Sequence, residues 1–567
     1  MNKKKRDGFI MQAGILAAAG IIVRIIGILY RKPLLAIIGD EGNGYYSTAY
    51  AIYTIILLVS SYSIPSAISK VIAARLAKKE YKNAQRIFQC AFIYVIVVGG
   101  IGSLVCFFCA DYIVGQHSAM VLRVFAPTIF LSGLLGVLRG YFQANRTMLQ
   151  TSISQILEQV LNAIVSVLGA YLLMGVVANQ DETTQAIYGA IGSALGTGSG
   201  VLIALIFMWL IYMLNHKDIK RRVDRDTFHK ELTYGQIFQL IIGMVTPIIL
   251  STFIYNLNTV SNLKIYQEIM QRVFQYTETQ ATTTYGLYSG KAMQIINIPI
   301  AIASSMSAAI IPTIASTYEM KAKKETRKKI AKAIKVTMLI SIPAGVGLFV
   351  FSRPIVMILY PQMATVGMVS ALIKVMAVTV VFYGLSTLTN AVLQGTGKVN
   401  KPVIHAALAL GIQAVVLVPL LLFTKLDLYA LGISTIVYSC LMCIFNQASI
   451  RKHLKYKQEM MKTFVLPFIA AFWMGIVSGV IYFGIEAIYR NLVEKGIITI
   501  GVNYVLNEKY ILGGVYNLVV IAIAMIVAML IYFALIIKLG AVGKKELLSM
   551  PKGAMLTRMA RKMHLIK

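Results

Sequence analysis

The chain of 567 residues is 58% hydrophobic and only 13% charged, with a mean hydropathy of +0.73, which excludes an ordinary soluble domain. Its net charge of +32 would point to nucleic acid in a soluble protein. Here the cations stand between apolar stretches, where they suit an anionic inner leaflet at about 1 kcal/mol per Lys or Arg, so the expected partners are anionic membrane lipids and not nucleic acid.

Fourteen apolar stretches follow one another, at 9–30, 44–70, 86–110, 119–145, 151–176, 187–214, 233–262, 284–316, 333–352, 355–393, 402–424, 427–450, 463–489 and 511–537. Each can cross about 30 Å of hydrocarbon, which takes roughly 20 helical residues. A helix satisfies its own backbone hydrogen bonds in lipid, so the pattern predicts an all-α integral membrane protein with fourteen transmembrane helices. The start resembles a secretory signal, with Lys3, Lys4, Lys5 and Arg6 ahead of Ala17, Ala18 and Ala19. The apolar run continues to Tyr30, however, and reads as a retained first helix.

Most Lys and Arg fall on alternate connections: the N-terminus, the runs Lys217–Lys230 and Lys321–Lys335, and the tail from Lys544 share one side. The positive-inside rule makes that side cytoplasmic, with both termini inside. The longest outer connections, near 263–283 and 490–510, are too short to fold as domains. The cysteine pairs Cys106/Cys109 and Cys440/Cys443 have C-x-x-C spacing, but they lie inside apolar spans with no His beside them and read as small hydrophobes. The six His residues are scattered, and no HExxH, phosphate loop or nucleophile elbow is present. These features point to a transporter rather than an enzyme, with no cofactor expected.

The chain repeats itself weakly. Span two ends in Ser63-Ile64-Pro65-Ser66-Ala67-Ile68-Ser69, and span eight in Ile310-Ile311-Pro312-Thr313-Ile314-Ala315-Ser316. The turn after span four, Gly140-Tyr141-Phe142-Gln143-Ala144-Asn145-Arg146, matches the turn after span ten, Leu393-Gln394-Gly395-Thr396-Gly397-Lys398. The offset of six helices predicts two pseudo-symmetric six-helix lobes, 1–230 and 231–452, two further helices in 453–540, and a basic cytoplasmic tail, 541–567. Transporters built from such repeats place substrate at the interface.

A charge at the bilayer centre costs about 2.5–3.5 kcal/mol, so it faces a cavity or a partner. Arg24 lies about 9 Å from the outer end of span one, where it lines a cavity or snorkels. Lys291 in span eight has a similar depth, and Lys374 lies within span ten. Glu158, with Gln155 and Gln159 beside it in span five, either carries a coupling proton or pairs with a neighbour such as Arg146. Span seven carries Asn256, Asn258, Thr259, Ser261 and Asn262, then Lys264, a stripe that should face protein or water. Pro65, Pro247, Pro299 and Pro312 are expected to bend or open spans two, seven and eight. The result is a hydrated, mainly cationic interior suited to an anionic substrate.

At these residues a family resemblance emerges. Arg24-Ile25-Ile26-Gly27-Ile28-Leu29-Tyr30-Arg31, followed by Ile38-Gly39-Asp40-Glu41-Gly42-Asn43-Gly44-Tyr45-Tyr46, resembles the opening of polysaccharide-type flippases. These belong to the multidrug/oligosaccharidyl-lipid/polysaccharide (MOP) exporter superfamily, with its MATE-like fold. The likeness is to Gram-positive MurJ-type lipid II flippases and to stage V sporulation protein B. Ser154-Gln155-Ile156-Leu157-Glu158-Gln159 looks like that group's fifth helix, and Tyr285-Gly286-Leu287-Tyr288 with Pro299–Pro312 like its eighth. The resemblance implies transfer of an undecaprenyl-pyrophosphate-linked saccharide, foremost peptidoglycan lipid II, to the outer leaflet of a bacterial plasma membrane. It implies that Arg24 and Arg31 handle the pyrophosphate and that Asp40 lies near the outer gate. Span seven departs from the better-known pattern, carrying Asn258, Asn262 and Lys264 in place of an acidic/basic cluster. The expected substrate-binding set is therefore Arg24, Arg31, Lys291, Asn258 and Asn262, and the gating or coupling set Asp40, Glu158, Lys264 and Lys374. With no ATP motif, the drive would be an ion gradient or the membrane potential, worth about 2.3 kcal/mol per charge per 100 mV. The rivals are a cation-coupled multidrug exporter, which would favour acidic cavity residues, and a membrane enzyme or scaffold acting on lipid-linked sugars.

Overall fold

The structure, a computed structural model, describes residues 19–20, 22–62, 64–145, 147–226, 231–398, 400–495, 497, 505–506, 509–543, 547 and 553–562. Lys3–Arg6, Arg146, Lys230 and the start of the basic tail at 544–546 lie outside these residues, as do the side chains of Pro247 and Pro312. Among the described residues the regular structure is helical apart from a two-residue antiparallel ladder that pairs Val505 with Tyr510 and Leu506 with Lys509. Among the described residues, nine helices are long and apolar enough to cross a membrane, or ten if the pair Met363–Met376 and Thr379–Gly395, bent by 47°, is one span.

Two connections differ from the sequence reading. The helix Tyr234–Arg272 runs ten residues beyond the expected span, and after five residues the helix Glu278–Gly286 begins, so most of 263–283 is helical. The polar residues there lower hydropathy without preventing helix, and Thr277 and Gln280 form a capping box whose side-chain oxygens accept the backbone N–H groups that open the second helix. After the helical stretch 22–29, the helix Arg31–Leu57 follows directly and turns at Gly39, whose φ of 67° suits a residue without Cβ.

Helix runs unbroken through Pro247, Pro299 and Pro312. The ladder instead shifts register in π-helical segments at Leu58–Tyr62, just before Pro65, and at Leu287–Ala292, which contains Lys291. Such segments are rare and concentrate at functional sites.

The chain divides into two compact units, 1–290 and 291–567. In the first, Ile64, Ile68 and Ile72 pack with Ile87, Phe88, Leu138, Tyr141, Val201 and Ile237. The repeated motifs meet there: a Cβ at Gly140 would stand 3.0 Å from the carbonyl oxygen of Pro65. In the second, Ile314 joins Ile330, Ile334, Leu388, Leu393 and Ile450. Cys106 donates its thiol to the Leu122 carbonyl and Cys443 to the Phe382 carbonyl, packed as small side chains between helices.

Candidate functional site

In the first unit, the helix Arg31–Leu57 touches Glu278–Gly286 backbone to backbone. A Cβ at Gly286 would stand 2.6 Å from the Cα of Gly44. Asn43 Nδ2 donates to the Gly286 carbonyl at 3.3 Å, and Arg31 Nη1 to the Gly290 carbonyl at 3.2 Å, inside the π-helical segment whose carbonyls are displaced from the α-helical ladder. Toward the same end, the Tyr45 hydroxyl lies 2.9 Å from Glu41 Oε1 and 2.8 Å from Thr279 Oγ1. Asp40 sits beside Glu41, half-buried.

The polar stripe of span seven faces this segment. Tyr285 donates to the Thr259 carbonyl at 3.2 Å, and Asn262 Nδ2 lies 3.5 Å from the Tyr288 hydroxyl. Asn258 is buried beside them, and its Oδ1 has no hydrogen-bond partner among the described residues. Lys264, two residues beyond Asn262, is half-buried. Arg31, Asn262 and the Thr259 backbone thus meet one helical segment, Glu278–Gly290. Arg24 stands exposed on the stretch 22–29; on the same stretch, Gly27 lies against Gln159.

Glu158 belongs to a different cluster. Its Oε2 accepts from Arg139 Nη2 at 2.6 Å, while Arg139 Nε donates to Ser154 Oγ at 2.9 Å. The partner among the described residues is a cation on the preceding helix; Arg146, the neighbour expected from the sequence, lies outside them. The charge pattern does not single out Arg139, because it lies near the end of its span and counts there as an end residue. Opposite charges at matching depth in successive spans were the available signal. Glu158→Gln is expected to lower the thermal unfolding midpoint by a few degrees, about 1–2 kcal/mol, since the amide keeps one bond and loses the charge. Its transport should keep the wild-type pH profile. A normal midpoint with an altered profile would instead assign Glu158 to coupling.

In the second unit, Lys291 is 1% exposed and its ammonium is well satisfied. It donates to Gln362 Oε1 and Thr365 Oγ1, both at 3.1 Å, and stands 5.4 Å from the centre of the Tyr360 ring. The Tyr360 hydroxyl returns a bond to the Lys291 carbonyl at 3.0 Å. Snorkelling, the alternative for a Lys at this depth, does not describe such an enclosed side chain. Lys374 is exposed at an apolar groove of about 800 Å³, lined by Ile342, Val346, Phe349, Phe382, Phe468 and Phe472. Among the described residues no cluster of His, Cys, Asp and Glu has the makings of a metal site.

A family model described as lipid II flippase MurJ matches residues 77–495. Stage V sporulation protein B of Bacillus subtilis (strain 168) is 24% identical over 483 residues, covering 84% of this chain and 90% of that protein. Among solved structures, lipid II flippase MurJ in an inward closed conformation aligns with a TM-score of 0.62 at 14% identity, over 91% of this chain and 97% of that one. An inward-facing multidrug resistance MATE family transporter of the MOP superfamily reaches 0.62 at 15% identity, over 78% of this chain and 98% of its own. At these identities the two structures speak for the fold. The family and these neighbours are flippases and transporters, not enzymes.

Proposed function

Since the chain belongs to the family of the lipid II flippase MurJ, we propose that it moves an undecaprenyl-pyrophosphate-linked saccharide, foremost lipid II, from the inner to the outer leaflet by alternating access. The fold that carries this is fourteen crossings arranged as six, six and two, with both termini cytoplasmic. The observation that supports the reading most is the apolar groove of the second unit with Lys374 at its edge. A polyprenyl-linked pyrophosphate has the same two parts, a long branched hydrocarbon and an anion at one end. A sugar-pyrophosphate head cannot cross hydrocarbon bare, whereas its tail can stay in an apolar groove throughout. Arg24 and Arg31 would meet the pyrophosphate, Arg being suited to bidentate phosphate contacts. The cation-coupled exporter fits less well, because its candidate carboxylate, Glu158, is already paired with Arg139.

The test is movement of defined polyprenyl-pyrophosphate saccharides across vesicles containing the purified protein. Movement of lipid II well above that of protein-free vesicles supports the reading. Transport of cationic dyes without lipid movement, or covalent change of the lipid, would replace it. Arg24→Ala is expected to slow flipping about ten- to a hundred-fold at normal protein level, the loss of a charge-assisted contact, with Arg24→Lys recovering part. Near-normal flipping by Arg24→Ala would mean that Arg24 only reaches toward the interface. For orientation, single cysteines placed in 217–226 or 321–330 should resist an impermeant thiol reagent added outside, while one near 181 should react. The reverse labelling would invert the topology.

A further inference from the structure

Along the helix Arg31–Leu57 of the first unit, every residue from 42 to 53 but one is buried. The exception is Tyr50, 37% exposed. Tyr46, Tyr50 and Tyr53 recur at helical spacing and share one face. Tyr50 is stacked with Tyr46, their ring centres 5.6 Å apart and their planes 12° from parallel, and tilted against Tyr53, also at 5.6 Å. Phe125 of the helix Gln116–Ala144, itself fully buried, meets Tyr46, Tyr50 and Tyr53 at 5.5, 5.9 and 4.6 Å. Packing against Tyr46, Tyr53 and Phe125 fixes the Tyr50 ring while part of it stays open. A ring held in this way offers a large contact area with little torsional freedom left to lose.

The surroundings of that ring are charged. Arg31 and Glu158 both act electrostatically on the Tyr50 hydroxyl, and both are themselves part-exposed. Glu158 Oε2 is held by Arg139 at 2.6 Å, and the Glu158 side chain remains 31% exposed. Charged groups avoid lipid, so the open part of Tyr50 faces water or substrate and not acyl chains. A hydrocarbon tail placed there would strip water from both charges and give them no hydrogen bond in return. A sugar suits both parts. Its C–H bonds carry slight positive charge and lie well on the negative face of an aromatic ring. Its hydroxyls, at the rim, donate to a carboxylate or a phenolic oxygen.

We propose that Tyr50 is the platform for the sugar joined directly to the pyrophosphate, and so a residue that selects lipids by their saccharide. The inference rests on the flippase reading and adds the contact that recognises the sugar. Arg31, assigned above to the pyrophosphate, brings that sugar beside the ring. The polyprenyl tail and the phosphates are common to lipids of this class, so selection between them needs a group that touches the saccharide.

The experiment is binding of two probes, lipid II and undecaprenyl pyrophosphate without sugar, to the purified full-length protein in detergent, for wild type, Tyr50→Phe and Tyr50→Leu. Phe keeps the ring faces, whereas Leu keeps apolar volume without them. Wild type should bind lipid II the more tightly. Tyr50→Leu should bind lipid II about five- to ten-fold more weakly and undecaprenyl pyrophosphate as wild type does, with Tyr50→Phe within about two-fold of wild type for both. Equal weakening for both probes would put the tail or the phosphate on the ring and overturns the proposal, as does a wild type that does not distinguish the probes. If Tyr50→Leu does not fold, Tyr50→Trp decides, in a protein that also carries Trp209→Phe and Trp473→Phe, which removes the two native tryptophans. Its emission should change on adding lipid II and not on adding undecaprenyl pyrophosphate; any other pattern overturns the proposal. A wild type that binds neither probe overturns the flippase reading together with it. Flipping of lipid II by wild type, with lipid II binding unaltered in Tyr50→Leu, overturns the platform alone.

Discussion

Gly192→Leu is expected to remove most of the folded protein, read as loss of the monodisperse peak in size-exclusion chromatography and of a cooperative thermal transition. The helices Met148–Val176 and Glu182–Leu214 pack backbone to backbone, and glycines set their spacing. A Cβ at Gly192 would lie 2.3 Å from the backbone nitrogen of Ala170 and from the Gly169 carbonyl carbon. Four residues on, a Cβ at Gly196 would meet the Ser166 nitrogen at 2.5 Å, and four further, at Gly200, the Glu158 carbonyl oxygen at 2.4 Å. Helices in lipid gain little from the hydrophobic effect and associate through such close approach at small residues. The opposing atoms are backbone, so no rotamer change relieves the clash. Overpacking costs about 1–3 kcal/mol where side chains can yield, and more where they cannot. Gly192→Ala should already lower the midpoint by several degrees. Gly175→Leu, at a position on the partner helix with open space around it, is the control and should behave as wild type. An unaltered Gly192→Leu would mean that these backbones do not touch. The same stripe holds Glu158 in place, so its failure would also displace the pair with Arg139.

Arg353→Ala should be nearly as damaging. Arg353 Nη2 donates to Glu486, whose carboxylate is almost wholly buried, and the guanidinium lies 5.5 Å from the centre of the Phe483 ring. The pair joins Lys323–Leu359 to Leu466–Glu494. Next to it, Tyr482 donates to Asn517 Oδ1 at 2.6 Å and Asn517 Nδ2 to the Pro354 carbonyl at 3.0 Å, which adds the helix Gly514–Lys538. Removing the cation leaves a buried carboxylate unpaired, at about 3–5 kcal/mol. Glu486→Gln should cost less, because it deletes the charge with the shape kept. The double variant Arg353→Met, Glu486→Leu should recover most of the loss, since an apolar pair carries no desolvation penalty. Thermal midpoints of the three variants check the ranking. A double variant as unstable as Arg353→Ala would show that the joint depends on the ion pair itself.

The membrane class, the helices and the transporter character could be read from the chain alone, because the hydrocarbon tests each residue separately. An apolar run long enough to cross is visible without knowing its neighbours, and so is a lysine that interrupts one. Lys291 could be singled out in this way. Its enclosure by Gln362, Thr365 and Tyr360 could not, since those partners lie about seventy residues away and meet it only once the helices take their depth and rotation. Glu158 was visible and Arg139 was not its evident partner, for the same reason. The glycines at 192, 196 and 200 were present in the sequence at helical spacing, yet their meaning depended on which helix lay opposite. Hydropathy is a property of one segment, whereas pairing needs the relative rotation, depth and separation of two, and side-chain and backbone contact in the folded protein sets all three.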